Sequence, residues 1–244
     1  MITGGRSGIG YKMAEEFLAQ GAIVYICSRK EDLLLEAQNK LSSLGTVFAK
    51  KCDIRNTEDI SALIDFIKSN SHNLDILINN AGGQFLSAAE DISEKGWNAV
   101  VNNNLNGTWY MSQLIAKAFF IPQNQGVILN IIINIYKGFP GMAHSAAARA
   151  GVDNLTKTLA IEWSKYKIRI NAIAPGSIKS TGLDNYPEEF VDKLAEKVPL
   201  KRLGTIQEVA WLSMFLASPY AEFITGETVY IDGGQRLWGD LYEM

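Results

Sequence analysis

Apolar runs long enough to cross a bilayer are missing from this sequence. None approaches the roughly 18 residues that a membrane-spanning helix needs, so no membrane partner is expected. A basic excess is missing too: lysine and arginine total 23 against 26 acidic residues, a net charge of −3. With a pI near 5.5, that balance argues against nucleic acid, whose partners present strongly basic surfaces. Cysteine is scarce, and both Cys27 and Cys52 fall in apolar strand-like runs, which points to buried free thiols rather than a disulfide or a metal site. Histidine is as scarce, with only His72 and His144. His144 adjoins Ser145, but sequence neighbours do not easily form a nucleophile–base bond and no G-x-S-x-G elbow is present, so a serine hydrolase is excluded. No basic-then-apolar leader precedes the first glycine motif, and the final "LYEM" is not the Ser-Lys-Leu address, so a cytoplasmic location is expected.

What is present is an ordinary soluble composition, 47% apolar and 20% charged, in which two kinds of segment alternate. Short β-branched runs at 22–28, 46–52, 75–79, 127–133, 168–174 and 228–231 are strand-like. Helix-like segments lie near 8–20, 31–44, 57–70, 93–121, 145–166 and 205–217. Near-continuous apolar strands indicate a parallel sheet buried on both faces, with the helices as right-handed crossovers. The expected fold class is therefore α/β, a single Rossmann-like doubly wound parallel sheet with helices on both faces, over residues 1–244. Gly21 sits where a C-terminal helix cap belongs, and Asn56 with Asp59 resembles a capping box. Met1, Ile2 and Thr3 run straight into glycines, so the first strand is expected to be truncated by the start of the numbered chain. Residues 179–203 break the periodicity and are expected to form a substrate lid.

The segment "TGGRSGIG" (3–10) puts Gly4, Gly8 and Gly10 between a strand and a helix. Glycines there allow a tight turn and let the backbone approach a pyrophosphate, which the free N–H groups and dipole of a helix start stabilise. The second strand ends in "CSRK", where an enzyme selective for NAD would carry an acidic residue for the ribose hydroxyls. Arg29, helped by Arg6 and Lys30, suits a 2′-phosphate instead. NADPH is the expected cofactor, and no metal is expected.

The glycine loop, "CDIRN" (52–56), "NNAGG" (79–83), "NNLNGT" (103–108) and "APGSIKSTG" (174–182) occur in the order and spacing of the short-chain dehydrogenase/reductase family, which the chain resembles along essentially its whole length. The resemblance implies that Asp53 contacts the adenine, that Asn80 and Gly82 support the cofactor, that Asn104 belongs to the active site, and that the Ile178 backbone meets the nicotinamide carboxamide. It also implies that Ser7, Ile9, Ser28, Ile54, Ala81, Arg149, Pro175 and Gly176 belong to the cofactor site. A homotetramer is the expected assembly, with segments 93–121 and 145–166 paired across subunits. The stripe Trp97, Trp109, Tyr110, Phe119 and Phe120 reads as core and subunit contact.

Most of that family delivers a proton through a serine, a tyrosine and a lysine. This sequence has Ile133, Ser145 and Arg149 in the matching places. Ketone reduction needs a positioned acid for the carbonyl oxygen, and nothing in the sequence activates Ser145; Arg149 still offers charge and a partner for ribose hydroxyls. Reduction of a carbon–carbon double bond conjugated to a thioester puts negative charge on the thioester oxygen, so its main requirement is hydrogen-bond donors. Asn104, Asn106 and Tyr136 are the expected donors. The segments "GGQFLSAAEDISEKGW" (82–97) and "GFPGMAHSAAARAGVDNLTK" (138–157) are similar to those of the trans-2-enoyl-CoA and 2,4-dienoyl-CoA reductases, the peroxisomal-type enoyl-CoA reductases above all. That resemblance implies NADPH-dependent reduction of an enoyl-CoA or dienoyl-CoA thioester in fatty acid metabolism; for such a substrate Lys179, Lys201 and Arg202, by their place near the expected lid, are the candidates to meet the CoA phosphates. Two other readings stay open: a carbonyl reductase or alcohol dehydrogenase with Tyr136 as a relocated acid, and a non-catalytic NADPH-binding sensor.

Overall fold

The computed structural model describes residues 1–71, 73–181, 183 and 188–237. His72, and residues 182 and 184–187 of the expected lid, lie outside the described residues.

The strand-like runs become β1 (Ile2–Thr3), β2 (Val24–Ser28), β3 (Val47–Lys51), β4 (Ile76–Asn79), β5 (Gly126–Ile131), β6 (Ile168–Pro175) and β7 (Thr228–Ile231). They form one seven-stranded sheet in the order β3-β2-β1-β4-β5-β6-β7, and every pairing is parallel. A parallel sheet needs cover on both faces. One core holds Leu63, Ile67, Met111, Ile115, Phe120 and Leu159, and the other holds Met13, Leu18, Leu34, Leu41, Val209 and Leu216. Between them they bury the apolar stripes of α1 (Gly8–Ala19), α2 (Glu31–Leu41), α3 (Thr57–Asn70), α5 (Gly107–Ile115), α6 (Ala143–Glu162) and α8 (Ile206–Ala217).

The element ends follow local chemistry. Gly21 adopts φ +79° just past α1, the left-handed geometry that glycine tolerates without a Cβ penalty. Asn56 caps α3 by accepting from the Asp59 N–H (2.9 Å), but the expected box does not close on itself, because the Asp59 carboxylate accepts from the Asp53 N–H instead (2.9 Å). A complete capping box opens α8, between Thr205 and Glu208.

Two features depart from the periodicity. The segment expected as one helix over 93–121 begins as α4 (Glu94–Val101), winds as a π turn at Asn102–Asn106, resumes as α5, and winds again as a π turn at Ala116–Phe120. The expected lid contains a helix of its own, α7 (Glu188–Glu196), and a short parallel pair joins Ile178–Lys179 to Gly204–Thr205.

The candidate active site

Strand order reverses between β1 and β4, and in such sheets ligands bind beyond the carboxyl ends of the strands at that reversal. A groove of about 560 Å³ opens there. A second cavity, about 410 Å³ and lined by Met1, Phe17, Tyr25, Leu74 and Ile76 among others, lies at the opposite ends of the strands and lacks both the glycine loop and its cations.

The groove is built from the glycine loop upward. Gly4 adopts φ +67°, and a Cβ there would lie 3.0 Å from Asn80 Nδ2. A Cβ on Gly10 would overlap the same amide and the Gly4 carbonyl. Asn80 locks this approach: its Nδ2 donates to the Thr3 carbonyl (3.0 Å), while Thr3 Oγ1 accepts from the N–H groups of Asn80 and Ala81 (2.9 Å each). Ser7 precedes α1 in extended geometry without a side-chain cap, so the first-turn N–H groups remain free for an anion. Gly8 opens that helix, and Ile9 anchors it in the core.

Gly4, Arg6, Ser7, Ser28, Arg29, Lys30, Ile54, Asn80, Ala81 and Gly82 all line the groove, together with Cys27, Cys52 and Asn103, which the sequence did not mark. Both thiols are free and buried; a hydrogen bond with Cys52, and then burial, raise the Cys27 thiol well above its ordinary value. Three cations and no carboxylate line the groove among the described residues. Asp53 stands beside it with its carboxylate committed to Arg55, whose Nε and Nη2 lie 2.9 and 2.5 Å away, and that pairing holds the Asp53 carboxyl below the usual range. Across the sheet, Pro175 ends β6 and Ile178 is buried at its short pair with Gly204. A Cβ on Gly176 would come within 2.8 Å of Asp232.

Gly82 is where the two halves meet. A Cβ there would overlap the Arg149 guanidinium and approach Asn104 Oδ1 to 2.7 Å. Arg149 reaches from α6 under the loop, donates to the Ile131 carbonyl (2.7 Å), and keeps a buried Nε with no partner among the described residues. Burial lowers its pKa to about 10, so it stays cationic at neutral pH. Such a cation, facing no carboxylate, is suited to an oxygen-rich ligand.

The expected oxyanion donors do not converge. Asn104 is fully buried in the π turn, and its carboxamide clamps one residue, accepting from the Gly83 N–H (3.0 Å) and donating to the Gly83 carbonyl (2.8 Å). Asn106, two positions on, donates to Asn102 Oδ1 (2.7 Å) on the helix exterior. Tyr136 is 61% exposed, and its ring meets Tyr230 edge-on with centroids 6.3 Å apart. The reason is geometric: residues two apart on a helix face different ways, and Tyr136 follows a strand end that turns toward β7. Ser145 is fully buried and pairs with Gln84, Oγ to Oε1 at 2.7 Å, a contact that spans 61 positions and leaves no trace in local sequence. Of the expected phosphate contacts, Arg202 is tied to Glu208 (2.6 Å) and Lys201 to the Glu196 carbonyl (3.1 Å).

The family profile described as enoyl-(acyl carrier protein) reductase matches residues 4–236. The chain is 42% identical over 243 residues to a probable 2,4-dienoyl-CoA reductase, (2E)-enoyl-CoA-producing, of Bacillus subtilis, covering 97% of this chain and 96% of that one. It is 35% identical to a peroxisomal 2,4-dienoyl-CoA reductase, (3E)-enoyl-CoA-producing, of Arabidopsis thaliana, covering 98% and 83%. A crystal structure of a short chain dehydrogenase from Bacillus anthracis superposes with a TM-score of 0.91 at 44% identity, covering 99% and 96%.

Proposed function

The chain belongs to the short-chain dehydrogenase/reductase family of oxidoreductases, and from that premise we propose that it uses NADPH to reduce a carbon–carbon double bond in an enoyl-CoA or dienoyl-CoA thioester. The observation that carries this reading is the state of the usual proton-delivery pair. Its tyrosine position holds Ser145, buried with its hydroxyl committed to Gln84, and its lysine position holds Arg149, which stays charged. Neither is an acid near neutral pKa, which carbonyl reduction favours. A conjugated thioester makes no such demand at oxygen.

The groove fits a dinucleotide phosphate. Gly4 and Gly10 leave space that a Cβ would fill, and Arg6, Arg29 and Lys30 face the end where a 2′-phosphate lies. The Arg149 guanidinium lies behind Gly82, and its buried Nε has no partner among the described residues. When bound, the cofactor supplies hydride to the acyl chain. The chain's own residues then hold the thioester while the electron pair moves onto its oxygen, and a proton from water completes the reduction at carbon. Asn104 contributes by fixing the Gly83 backbone beside the groove. The relatives named as 2,4-dienoyl-CoA reductases support an acyl-CoA substrate.

We also propose a homotetramer. Ile161 on α6, Trp211 and Phe215 on α8, and Tyr220 and Phe223 just beyond it are exposed and offer apolar surface for subunit contact. Among the described residues no helix is long and apolar enough to cross a membrane. The functional test follows NADPH absorbance with crotonyl-, decenoyl- and decadienoyl-CoA beside a panel of ketones and aldehydes. Thioester turnover is expected. Ketone turnover with silent thioesters would reject the proposal, and tight NADPH binding without any turnover would favour a sensor.

A further inference from the structure

Two loops flank the site and are zipped together. Ser87 donates its N–H to the Gly141 carbonyl (2.9 Å). The Phe85 ring meets buried His144 edge-on, with centroids 4.4 Å apart. The last contact is the one between Ser145 Oγ and Gln84 Oε1 (2.7 Å). Its direction follows from burial. Ser145 is fully buried, and among the described residues Gln84 is the acceptor available to its hydroxyl. Turning the carboxamide over would make the hydroxyl accept and leave its proton unpaired, at the cost of an unsatisfied buried donor. The serine therefore donates. Gln84 itself is exposed and follows groove-lining Gly82 by two positions, and among the described residues its Nε2 group has no hydrogen-bond partner.

We propose that Gln84 is the catalytic hydrogen-bond donor to the substrate's thioester oxygen, and that Ser145 is the positioning residue that orients it. This inference rests on the thioester reading given above. Asn104 is spent on Gly83 and Asn106 donates to Asn102, whereas exposed Tyr136 is held only by the edge of its ring against Tyr230, with no buried partner to fix its hydroxyl. Gln84 combines an accessible N–H pair with a buried partner that fixes its rotamer, and a donor held in place before reaction stabilises developing charge best. A neutral carboxamide also suits the chemistry. It stabilises an enolate oxygen without transferring a proton, so no titrating acid is needed at this position.

The test measures kcat and KM for crotonyl-CoA, with NADPH affinity by fluorescence titration, in the parent enzyme, Gln84→Leu, Ser145→Ala and the double variant. Gln84 is exposed, but its loss leaves the buried Ser145 hydroxyl without its acceptor, which destabilises the fold, so a thermal melt of each variant checks that it is folded. Gln84→Leu is expected to lower kcat by about 100-fold while NADPH affinity holds within about twofold. Ser145→Ala is expected to lower kcat by about 10-fold alone and to add nothing once Gln84 is leucine, because a residue that acts only through another loses its effect in that background. Unchanged kcat in Gln84→Leu would overturn the assignment of the donor. An equal loss from Ser145→Ala in both backgrounds would overturn the positioning role. A parent enzyme that reduces ketones and leaves crotonyl-CoA untouched removes the thioester reading itself and this inference with it.

Discussion

The half of the molecule proposed to bind the nucleotide, β1 to β4 with α1 and α2, and the half proposed to bind substrate, from the π turn to the start of α6, are held in different ways. In the first, two short side chains hold the backbone close: Gly4 and Gly10 approach the Asn80 carboxamide so closely that no side chain fits, and the Thr3 hydroxyl accepts from the N–H groups of Asn80 and Ala81. In the second, side chains from distant segments interlock, Asn104 on Gly83, Gln84 on Ser145 and Arg149 on Ile131. A site built on closely held backbone keeps its shape under most substitutions and binds one common ligand. A side-chain-built site can exchange its chemistry by a few replacements, and here Ser145 and Arg149 stand beside the groove at the places where the family resemblance implies a tyrosine and a lysine.

The sharpest way to break the comparison is at Gly82, where the halves touch. Gly82→Ala drives a Cβ into the Arg149 guanidinium and toward Asn104. A cost of about 2–3 kcal/mol is expected from overpacking, together with strongly weakened NADPH binding, both measurable by thermal melts with and without cofactor. Retention of both would show that the halves are not coupled there.

A second substitution acts within the nucleotide half alone. Arg29 lines the groove where no carboxylate competes, and hydrogen bonds to charged groups contribute about 1.5–3 kcal/mol each. Arg29→Ala is therefore expected to weaken NADPH by roughly 10- to 100-fold and NADH far less. Equal losses would show that Arg29 does not read the 2′-phosphate.

The smallest effect lies outside both halves, at the opening of α8. Arg202 and the Thr205 backbone lower the Glu208 carboxyl to about 2. The folded value lies below the unfolded one, so the stabilisation is present above about pH 4.5 and is lost as pH falls toward 2. Because the pair is solvent-screened, its contribution is small. The melting-temperature gap between the parent and Glu208→Gln should close over that window, and a constant gap would assign the stabilisation to packing.

The same contrast explains what was legible in the sequence. The sheet and its parallel sense could be read from strand periodicity, and Gly4, Arg6, Arg29 and Lys30 from a glycine turn and a strand end, whereas Ser7, Ser28, Ile54, Asn80, Ala81 and Gly82 were expected only from the resemblance to the family. Asn103, Cys27 and Cys52 escaped because their place on the groove depends on which face each element presents. The π turns escaped because the helical period runs through them unchanged, and one of them turns Asn104 onto Gly83. The helix inside the expected lid, Glu188–Glu196, was too short to stand out from its loop. Gln84 could not be found at all, since only the fold brings Ser145 to it.

The central claim is that reduction occurs at carbon in a thioester-bearing chain, without an acid serving a carbonyl oxygen. The most direct measurement incubates the enzyme with decadienoyl-CoA and NADPH deuterated at the transferable position of the nicotinamide, then locates the label by mass spectrometry. The account predicts one deuterium on an acyl-chain carbon, with the thioester carbonyl intact and one double bond fewer. Deuterium found only on the carbinol carbon of a ketone or aldehyde supplied in the same mixture would contradict it.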